Sequence, residues 1–254
     1  VINYAKELTR QNVEINLIIV INKVGKKGVD YLEKNLNELD IDYEIQNPNA
    51  NLGYLNGLLY GYKNSTKDSP WYVFSNTDIS IINDNFFANF TESKSFLSDK
   101  IWLVGPSVYT PLLKKYSNPY FVERPTKRFY QKRIFAMRFP CVFECFYQIK
   151  KKLRKMENNY NRPESKEVYA VHGCFMFLRK ELLDTLIQRK PWELLFDEEQ
   201  YIAEIVRKEG RHAYYDSSIE VFHLEGTSTG RVNLKRKYKF MVDANKRILK
   251  EFYN

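Results

Sequence analysis

The most informative stretch of the chain is an apolar run, from Trp71 to Ser75, that stops at the polar tip Asn76-Thr77-Asp78. Its aromatic and β-branched residues predict a buried strand that ends in a loop. Ligands bind at that end of the sheet in α/β folds, and a carboxylate fixed there can hold a divalent cation against a diphosphate. Asn76 and Asp78 are equally suited to a turn or a helix cap, so the pattern alone leaves both interpretations open.

Strand-like and helix-like segments alternate through most of the chain. The alternation is typical of an α/β fold with a mainly parallel central sheet, right-handed crossovers and helices on its faces. Because the chain opens on a helix, the pattern also predicts a preceding strand that the sequence does not include. The predicted strands are 14–22, 42–46, 71–75, 101–105, 168–179 with a break at His172-Gly173, and 219–222. The predicted helices are 1–11, 29–39, 51–62, 84–90, 181–188, 199–209 and 235–252.

Residues 109–167 interrupt this alternation. We therefore divide the chain into a first α/β half (1–108), a basic, aromatic helical insertion (109–167), a second half (168–230) and a basic C-terminal helix (231–254). Pro140 opens a helix-like stretch in the insertion, with several lysines near its end. Just before it, Phe129, Tyr130, Phe135 and Phe139 interleave with Lys132, Arg133 and Arg138.

The net charge of +9 is unevenly placed along the chain. Residues 123–155 hold eleven Lys/Arg against two Glu, an excess that equals the whole net charge. A basic and aromatic stretch of this kind can lie on an anionic membrane surface. A solvated helix packed on the domain, with cations complementing its C-terminus, explains the same charge equally well. No recognisable nucleic-acid-binding module accompanies the charge, so we expect no nucleic-acid partner.

The sequence shows neither an apolar run long enough to span a bilayer nor a signal peptide. We therefore expect a cytoplasmic protein, and the basic region adds the expectation of peripheral association with the inner face of the cell membrane. Cys141, Cys145 and Cys174 are too few and wrongly spaced for a disulfide framework or a zinc knuckle, so we expect them to be free.

Gly53, Gly57 and Gly61 recur every four residues and therefore share one stripe of the helix that Asn51 is placed to cap. Glycine inside a helix costs up to about 1 kcal/mol relative to alanine, so a repeated stripe requires a close neighbour. Tight packing on the sheet is sufficient for Gly57 and Gly61. Gly53 and Asn51 lie at the helix entrance, where free amides attract anions, and are candidate ligand-binding residues.

The acidic sequence FDEE at 196–199 leads into the next helix. Ile202 and Val206 follow Glu199 by three and seven positions, so Glu199 shares their inward-facing stripe. The helix dipole favours its charged form and desolvation disfavours it, a balance that suits a general base. An acidic first turn that only stabilises the helix is the default interpretation for Glu198, and it stays open for Glu199.

The candidate residues fall in four motifs. These are Asn51-Leu-Gly-Tyr-Leu-Asn-Gly, Asn76-Thr-Asp78, Phe196-Asp-Glu-Glu199, and Val221-Phe-His223 with Gly226 and Ser228. In this order they resemble the motifs of inverting glycosyltransferases of family 2, which have the Rossmann-like GT-A fold. The chain is most similar to the branch of bacterial rhamnosyltransferases and other O-antigen or capsule transferases, over nearly its whole length except about residues 110–165. It departs from the family in keeping a single carboxylate in the metal motif and in placing Glu at 199, where Asp is commoner.

The resemblance implies a metal-dependent enzyme that moves a sugar from a nucleotide-diphosphate donor, such as dTDP-rhamnose, to a glycan or lipid-linked acceptor in bacterial surface polysaccharide synthesis. Residues 1–108 would bind the nucleotide-sugar, and residues 168–230 would bind the acceptor and supply the catalytic groups. The implied roles are catalysis for Glu199 and Glu198, donor binding for Asn51, Gly53, Asn76 and Asp78, acceptor binding for His172 and Gly173, and Mg²⁺ or Mn²⁺ binding for Asp78 and His223.

Two other interpretations of the function stay open. A nucleotidyltransferase on a related sheet is disfavoured, because no Gly-rich loop with Lys or Arg is visible. A non-catalytic protein would bind membranes or polyanions through residues 123–155.

By position alone, His223 at a strand end is more often structural than a ligand. For a homodimer, the C-terminal helix offers Tyr238, Met241, Val242 and Ile248.

Overall fold

The computed structural model describes residues 1–22, 25–140, 143–145, 149, 161–224 and 233–253. Most of the helix predicted after Pro140 lies outside these residues. The helices are α1 (Ile2–Leu8), α2 (Lys26–Leu36), α3 (Tyr54–Lys63), α4 (Phe86–Thr91), α5 (Lys94–Leu97), α6 (Lys127–Ala136), α7 (Lys180–Ile187), α8 (Glu198–Lys208) and α9 (Leu234–Phe252). The strands are β1 (Asn16–Val20), β2 (Asp42–Gln46), β3 (Trp71–Ser75), β4 (Ile79–Ser80), β5 (Ile101–Thr110), β6 (Lys115–Tyr116), β7 (Lys166–Val168), β8 (Phe175–Arg179) and β9 (His212–His223).

Within the described residues the main sheet has seven strands, in which β8 lies between β3 and β5 and runs antiparallel to both. β9 pairs with β5 in parallel and with β4 and β7 antiparallel, and β6 pairs antiparallel with β5. β1 and β2 form a separate parallel pair. The fold is a mixed α/β fold with a central sheet, as expected. Its pairing is not mainly parallel, because β8 enters between two strands that it opposes.

This topology brings separate parts of the chain to one edge of the sheet. Because β8 opposes β3, Phe175 at the start of β8 pairs with Ser75 at the end of β3. Because β9 opposes β4, His223 at the end of β9 pairs with Ile79 at the start of β4. The polar tip after β3, the turn before β8 and the end of β9 therefore lie at the same edge.

β5 and β9 are longer than the sequence pattern predicts. Pro106 predicts the end of β5 at Gly105, but the strand continues for another five residues, to Thr110. Pro106 lies at a shift in register, where it pairs with Asp216 while the next residue pairs with Glu220, so β9 bulges. A proline is tolerated there because the ladder is already interrupted. The predicted strand 219–222 is only the end of β9.

β8 is buried on both faces and separates two hydrophobic clusters. Phe175 and Phe177 face the cluster under α4, where Phe177 stacks on Phe90 with ring centroids 3.7 Å apart. Met176 and Leu178 face the other cluster, which α7, α8 and α9 complete. A strand covered on both faces accounts for the continuous apolar sequence.

The face of α9 that we considered for a homodimer is partly used within the chain. Tyr238 and Ile248 are buried, and Ile248 belongs to the cluster beside β8. Those two side chains are therefore not available to a second copy. Met241 and Val242 are half-buried. The homodimer stays a prediction.

The basic, aromatic insertion contributes α6, which the Thr126 side chain caps by accepting a hydrogen bond from Phe129 N at 3.2 Å. Its buried side chain is Tyr130, whereas Phe135 is 63% exposed. No helix within the described ranges has the length and apolar character needed to cross a bilayer. Cys145 and Cys174 are free, as expected, and Cys141 lies outside the described residues.

The glycine stripe of α3 packs against β1. A Cβ added to Gly61 would lie 2.8 Å from Val20 Cγ2, and one added to Gly57 would lie 3.0 Å from Asn22 Nδ2. A methyl group would force Val20 to shift at Gly61 and would press on the Asn22 amide at Gly57. Close packing on a strand therefore explains Gly57 and Gly61, as the simpler interpretation of the stripe predicts.

We expect Phe177→Ala to lower the free energy of unfolding by about 3–5 kcal/mol, because it removes a buried ring and leaves a cavity among the aromatic rings that surround it. Urea unfolding measures the change. Phe135→Ala is the matched control, since this exposed ring should contribute within about 0.5 kcal/mol. Equal effects of the two substitutions would contradict the placement of the core.

Candidate active site

The turn before β8 joins three of the predicted site segments. Cys174 O accepts a hydrogen bond from Asn76 N at 2.8 Å, so the tip after β3 lies on this turn. Gly173 N donates to Glu199 Oε1 at 3.3 Å, so the first turn of α8 lies on it too. A Cβ added to Gly173 would lie 2.7 Å from Glu199 Oε1. Glycine at this position therefore allows the Glu199 carboxylate to approach the backbone.

Tyr54, in the first turn of α3, connects this turn to the predicted donor side. Its hydroxyl donates a hydrogen bond to Gly173 O. Burial raises the pKa of the Tyr54 hydroxyl well above its usual value, and the charges of Glu198, Glu199 and Asp78 add to the effect. Asp78 and Glu199, 121 positions apart in the chain, therefore both lie within electrostatic range of one phenol. The shared cleft implied by the motifs requires this proximity.

His172 lies at the same edge and is held by its neighbours. Its Nδ1 accepts a hydrogen bond from Cys174 N at 3.1 Å, and its backbone N donates to Asn118 Oδ1 at 3.0 Å. The ring lies edge-on to Tyr120 and to His223, with centroids 5.7 and 5.9 Å apart. Burial lowers the pKa of His172 to about 4, and the charge of His223 contributes. The imidazole is therefore neutral at pH 7, with its proton on Nε2.

Asp78 and His223 meet where β4 begins and β9 ends. His223 Nε2 lies 3.5 Å from Asp78 Oδ1, and Leu224 N donates to Asp78 O at 3.0 Å. One oxygen and one nitrogen ligand at this separation fit two adjacent positions around a divalent cation. The described part of the chain contains no cluster of three or more metal-ligating side chains. Gly226 and Ser228 of the fourth motif lie outside the described residues.

The loop before α3 differs from its predicted form. Asn51 does not cap the helix: its Oδ1 accepts from Gly53 N at 3.0 Å, and Gly53 occupies the N-cap position. Tyr54 N donates to Leu194 O at 3.0 Å. The amides of Gly53 and Tyr54 are thus already bonded within the chain, so the expectation of free amides at this helix entrance is wrong for these two.

Gly53 is required by its backbone and by its surroundings. Its φ of +81° favours glycine, and an added Cβ would lie 2.3 Å from Leu194 O. The loop between α7 and α8 therefore lies directly against the predicted donor segment. The asparagine cap predicted from the sequence fails because the chain continues for two more residues before it becomes helical.

Asn22, just after β1, is a site residue that the sequence analysis did not single out. Its Nδ2 donates to Gly53 O at 2.9 Å, and its Oδ1 accepts from Leu52 N at 3.2 Å. The Asn22 side chain therefore holds this loop at two consecutive residues, Leu52 and Gly53. The available signal was its place at the carboxyl end of a strand, the same place that Asn76 occupies on β3.

Comparison with known proteins adds a fold but no sequence family. No protein-family model matches the chain, and no curated protein matches it either. Among solved structures, GalNAc-T7 with UDP, GalNAc and Mn²⁺ matches 92% of this chain at 14% identity, with a TM-score of 0.53. The chain has a GT-A fold. It spans 43% of the length of GalNAc-T7. Protein A197 from STIV matches 84% of this chain and 87% of its own length at 17% identity, with a TM-score of 0.39.

Within this GT-A fold, the two acids at the start of α8 both have raised pKa values. Burial is the main cause that raises the pKa of Glu199 to about 7, and the charge of Asp197 adds to it. The N–H of Gly173 and the charge of Arg133 oppose this rise. Burial and the charge of Glu199 raise the pKa of Glu198 well above its usual value. Glu198 therefore holds its proton more tightly than a free glutamate does, and Glu199 can gain and lose a proton near neutral pH.

We expect Glu199→Gln to stabilise the protein at pH 8 but not at pH 4.5. Folding raises the pKa of Glu199 from near 4.5 to about 7, so the folded state holds a proton that the unfolded state has lost. Stability due to this group therefore falls as pH rises through that window. The amide should remove the loss, a gain on the order of 1–3 kcal/mol at pH 8. Thermal and urea unfolding at the two pH values measure it.

The Glu199→Gln variant keeps all the other charged and titratable groups near position 199. Glu209→Gln, exposed at the end of α8, is the control and should show no such pH dependence. A gain of equal size at both pH values would contradict a raised pKa. The charged and titratable groups near Glu199 are Glu198, Asp197, Arg133, Tyr54, Tyr120 and Cys174.

Proposed function

We propose that this chain is an inverting glycosyltransferase of family 2, of the bacterial rhamnosyltransferase-like branch. Its donor is a nucleotide-diphosphate sugar, with dTDP-rhamnose as the first candidate, and its acceptor is a glycan or a lipid-linked saccharide of the bacterial surface. The observation that carries the proposal is the backbone turn at 173–174, which contacts Glu199 on one side and the Asn76 tip leading to Asp78 on the other. The GT-A fold supports it, as does the UDP, GalNAc and Mn²⁺ content of the GalNAc-T7 structure.

In the proposed reaction, Glu199 is the general base. Its carboxylate takes the proton of the acceptor hydroxyl, the hydroxyl oxygen attacks the anomeric carbon, and the bond from that carbon to the nucleotide diphosphate breaks. The bond to the diphosphate and the new bond lie on opposite sides of the anomeric carbon, so its configuration inverts. A base with a pKa near the working pH suits this step, and the raised pKa of Glu199 provides it. Burial and the charge of Glu199 raise the pKa of the neighbouring Glu198, so Glu198 is the less suited of the two to accept this proton.

The other end of the site would hold the diphosphate. Asp78 and His223 are the residues that would bind Mg²⁺ or Mn²⁺, with the remaining positions left to phosphate oxygens and water. When bound, the cation would offset the charge that develops on the departing diphosphate. We assign Asn76, two residues before Asp78, to the donor side, and His172 with Gly173 to the acceptor side.

The donor segment acts through its shape. The backbone N–H of Gly53 donates to the Asn51 side chain, so this amide shapes the loop and is not free to bind a phosphate. Asn22 fixes the same loop from β1. We therefore assign donor binding to the loop as a unit that Asn51, Gly53 and Asn22 hold in place.

Transfer tests the proposed function directly. The purified chain is assayed with dTDP-rhamnose, UDP-GalNAc and UDP-glucose, with Mn²⁺, Mg²⁺ or EDTA, and release of nucleoside diphosphate is measured. We expect Glu199→Gln to lower kcat by about 10²–10⁴-fold, as expected for loss of a general base. Asp78→Asn should also lower turnover and raise the Mn²⁺ concentration that the remaining activity requires.

Two substitutions of exposed acids control for general effects. Asp99→Asn, at a side chain that is 95% exposed, and Glu209→Gln should keep the rate of the unmodified protein. Full turnover in both Asp78→Asn and Glu199→Gln would reject the assigned roles. Release of pyrophosphate from a nucleoside triphosphate, in place of sugar transfer, would favour a nucleotidyltransferase.

We further propose that the enzyme works at an anionic membrane surface through the end of α6. Phe135 and Phe139 are 63% and 58% exposed and lie 6.2 Å apart between their ring centroids. Lys132 and Arg138 beside them are exposed. Exposed aromatic rings among cations fit the headgroup region of an anionic bilayer. A lipid-linked acceptor would be met at such a surface.

Vesicle binding tests this surface. We expect the chain to sediment with phosphatidylcholine vesicles that contain phosphatidylglycerol but not with phosphatidylcholine alone, and salt should weaken binding. The double substitution Phe135→Ser and Phe139→Ser should remove most of the bound fraction. Leu97→Ser, at an equally exposed apolar residue of α5, is the control. Binding that is unchanged in the double variant would reject the surface.

A further inference from the structure

Two consecutive residues before α8 have left-handed backbone conformations. The φ angle is +78° at Phe196 and +58° at Asp197. Residues with a side chain adopt this conformation at a cost, so the surrounding structure must hold it. The conformation sets the direction in which α8 begins, two residues before Glu199.

Asp197 occupies the N-cap position of α8 but makes no cap hydrogen bond to the helix. An aspartate in that position ordinarily accepts a hydrogen bond from the first helical amides. Here Oδ1 accepts from Arg133 Nη1 on α6 at 2.7 Å, and Oδ2 accepts from Asn245 Nδ2 on α9 at 2.5 Å. The residue is 3% exposed. Its side chain therefore ties the start of α8 to two other helices.

Trp192 holds the other left-handed residue. Its Nε1 donates to Phe196 O at 3.1 Å, and its ring stacks on Tyr201 of α8 with centroids 4.1 Å apart. The guanidinium of Arg247, on α9, lies over both rings, 4.8 Å from the Trp192 centroid and 5.3 Å from the Tyr201 centroid. Phe196 is thus held by a side chain of the same loop, and Asp197 by side chains of two other helices.

We propose that Asp197, fixed by Arg133 and Asn245, is a positioning residue that keeps the Glu199 carboxylate against Gly173. This inference rests on the proposed function. A change in the backbone at Asp197 would swing the first turn of α8 and move Glu199 away from the turn before β8. Misplacing a catalytic group by about 1 Å can lower a rate by about 10²-fold.

A second buried carboxylate on the same helix provides a matched comparison. Glu204 is fully buried and accepts from Arg124 Nε at 2.7 Å and from Arg124 Nη2 at 3.2 Å. It lies five residues after Glu199, so breaking this pair leaves the start of α8 intact. Loss of either arginine should destabilise the fold, but only loss of Arg133 should disturb the base.

The experiment compares Arg133→Met with Arg124→Met in dTDP-rhamnose turnover, or in turnover of UDP-GalNAc or UDP-glucose if the unmodified protein uses one of those. We expect Arg133→Met to lower kcat by about 10–100-fold while the donor KM changes less than about threefold. Arg133→Lys should recover much of the rate, because lysine can still donate to Asp197. Arg124→Met should keep kcat within about twofold although it lowers the melting temperature.

A wild-type kcat in Arg133→Met, or an equal loss of kcat in Arg124→Met, would overturn the inference. If the unmodified protein turns over none of the three donors, the proposed function fails, and hydrogen exchange then decides the structural part. Tyr201 N, which donates to Asp197 O at 3.1 Å, reports on the first turn of α8. Faster exchange there in Arg133→Met but not in Arg124→Met supports the positioning role, and equal exchange in both overturns it.

Discussion

The candidate site depends on the absence of a side chain at Gly173. This one backbone position donates to the Glu199 carboxylate and accepts from the Tyr54 hydroxyl, while the next residue accepts from Asn76. A methyl group there would collide with Glu199. The antiparallel entry of β8 between β3 and β5 places this turn beside the ends of both strands. The first turns of α3 and α8 and the tip after β3 can all contact this turn because Gly173 has no side chain.

Elements with a single dominant signal could be predicted from the sequence. β2 has the predicted bounds, and β8 lies within a continuous apolar run because it is covered on both faces. The full length of β9 could not be predicted, since Asp216 and the polar residues after it form a bulge inside the strand. The direction of β8 also escaped prediction, because an apolar run carries no information about whether its neighbours run with it or against it.

The sequence predicts which residues are candidates for the site better than it predicts the contacts that hold them in place. The sequence indicated Asp78, Glu199 and His223 as polar residues at element ends, and the structure places Asp78 against His223. It gave no sign of the left-handed pair at Phe196 and Asp197, because neither is glycine. The conformation at Asp197 is fixed by side chains of α6 and α9, and a partner 64 positions away leaves no local pattern in the sequence. The role of the loop from 190 to 197 likewise depends on contacts with residues far away in the sequence, on α3, α6 and α9.

The burial of Glu198 and Glu199 changes how charge is distributed where the reaction would occur. Two adjacent glutamates in water carry two negative charges at neutral pH, but burial raises the pKa of both, that of Glu199 to about 7. The pair therefore carries less negative charge near neutral pH than two exposed glutamates would. A polyanion such as a diphosphate can approach this acidic segment with less repulsion than its amino-acid sequence suggests.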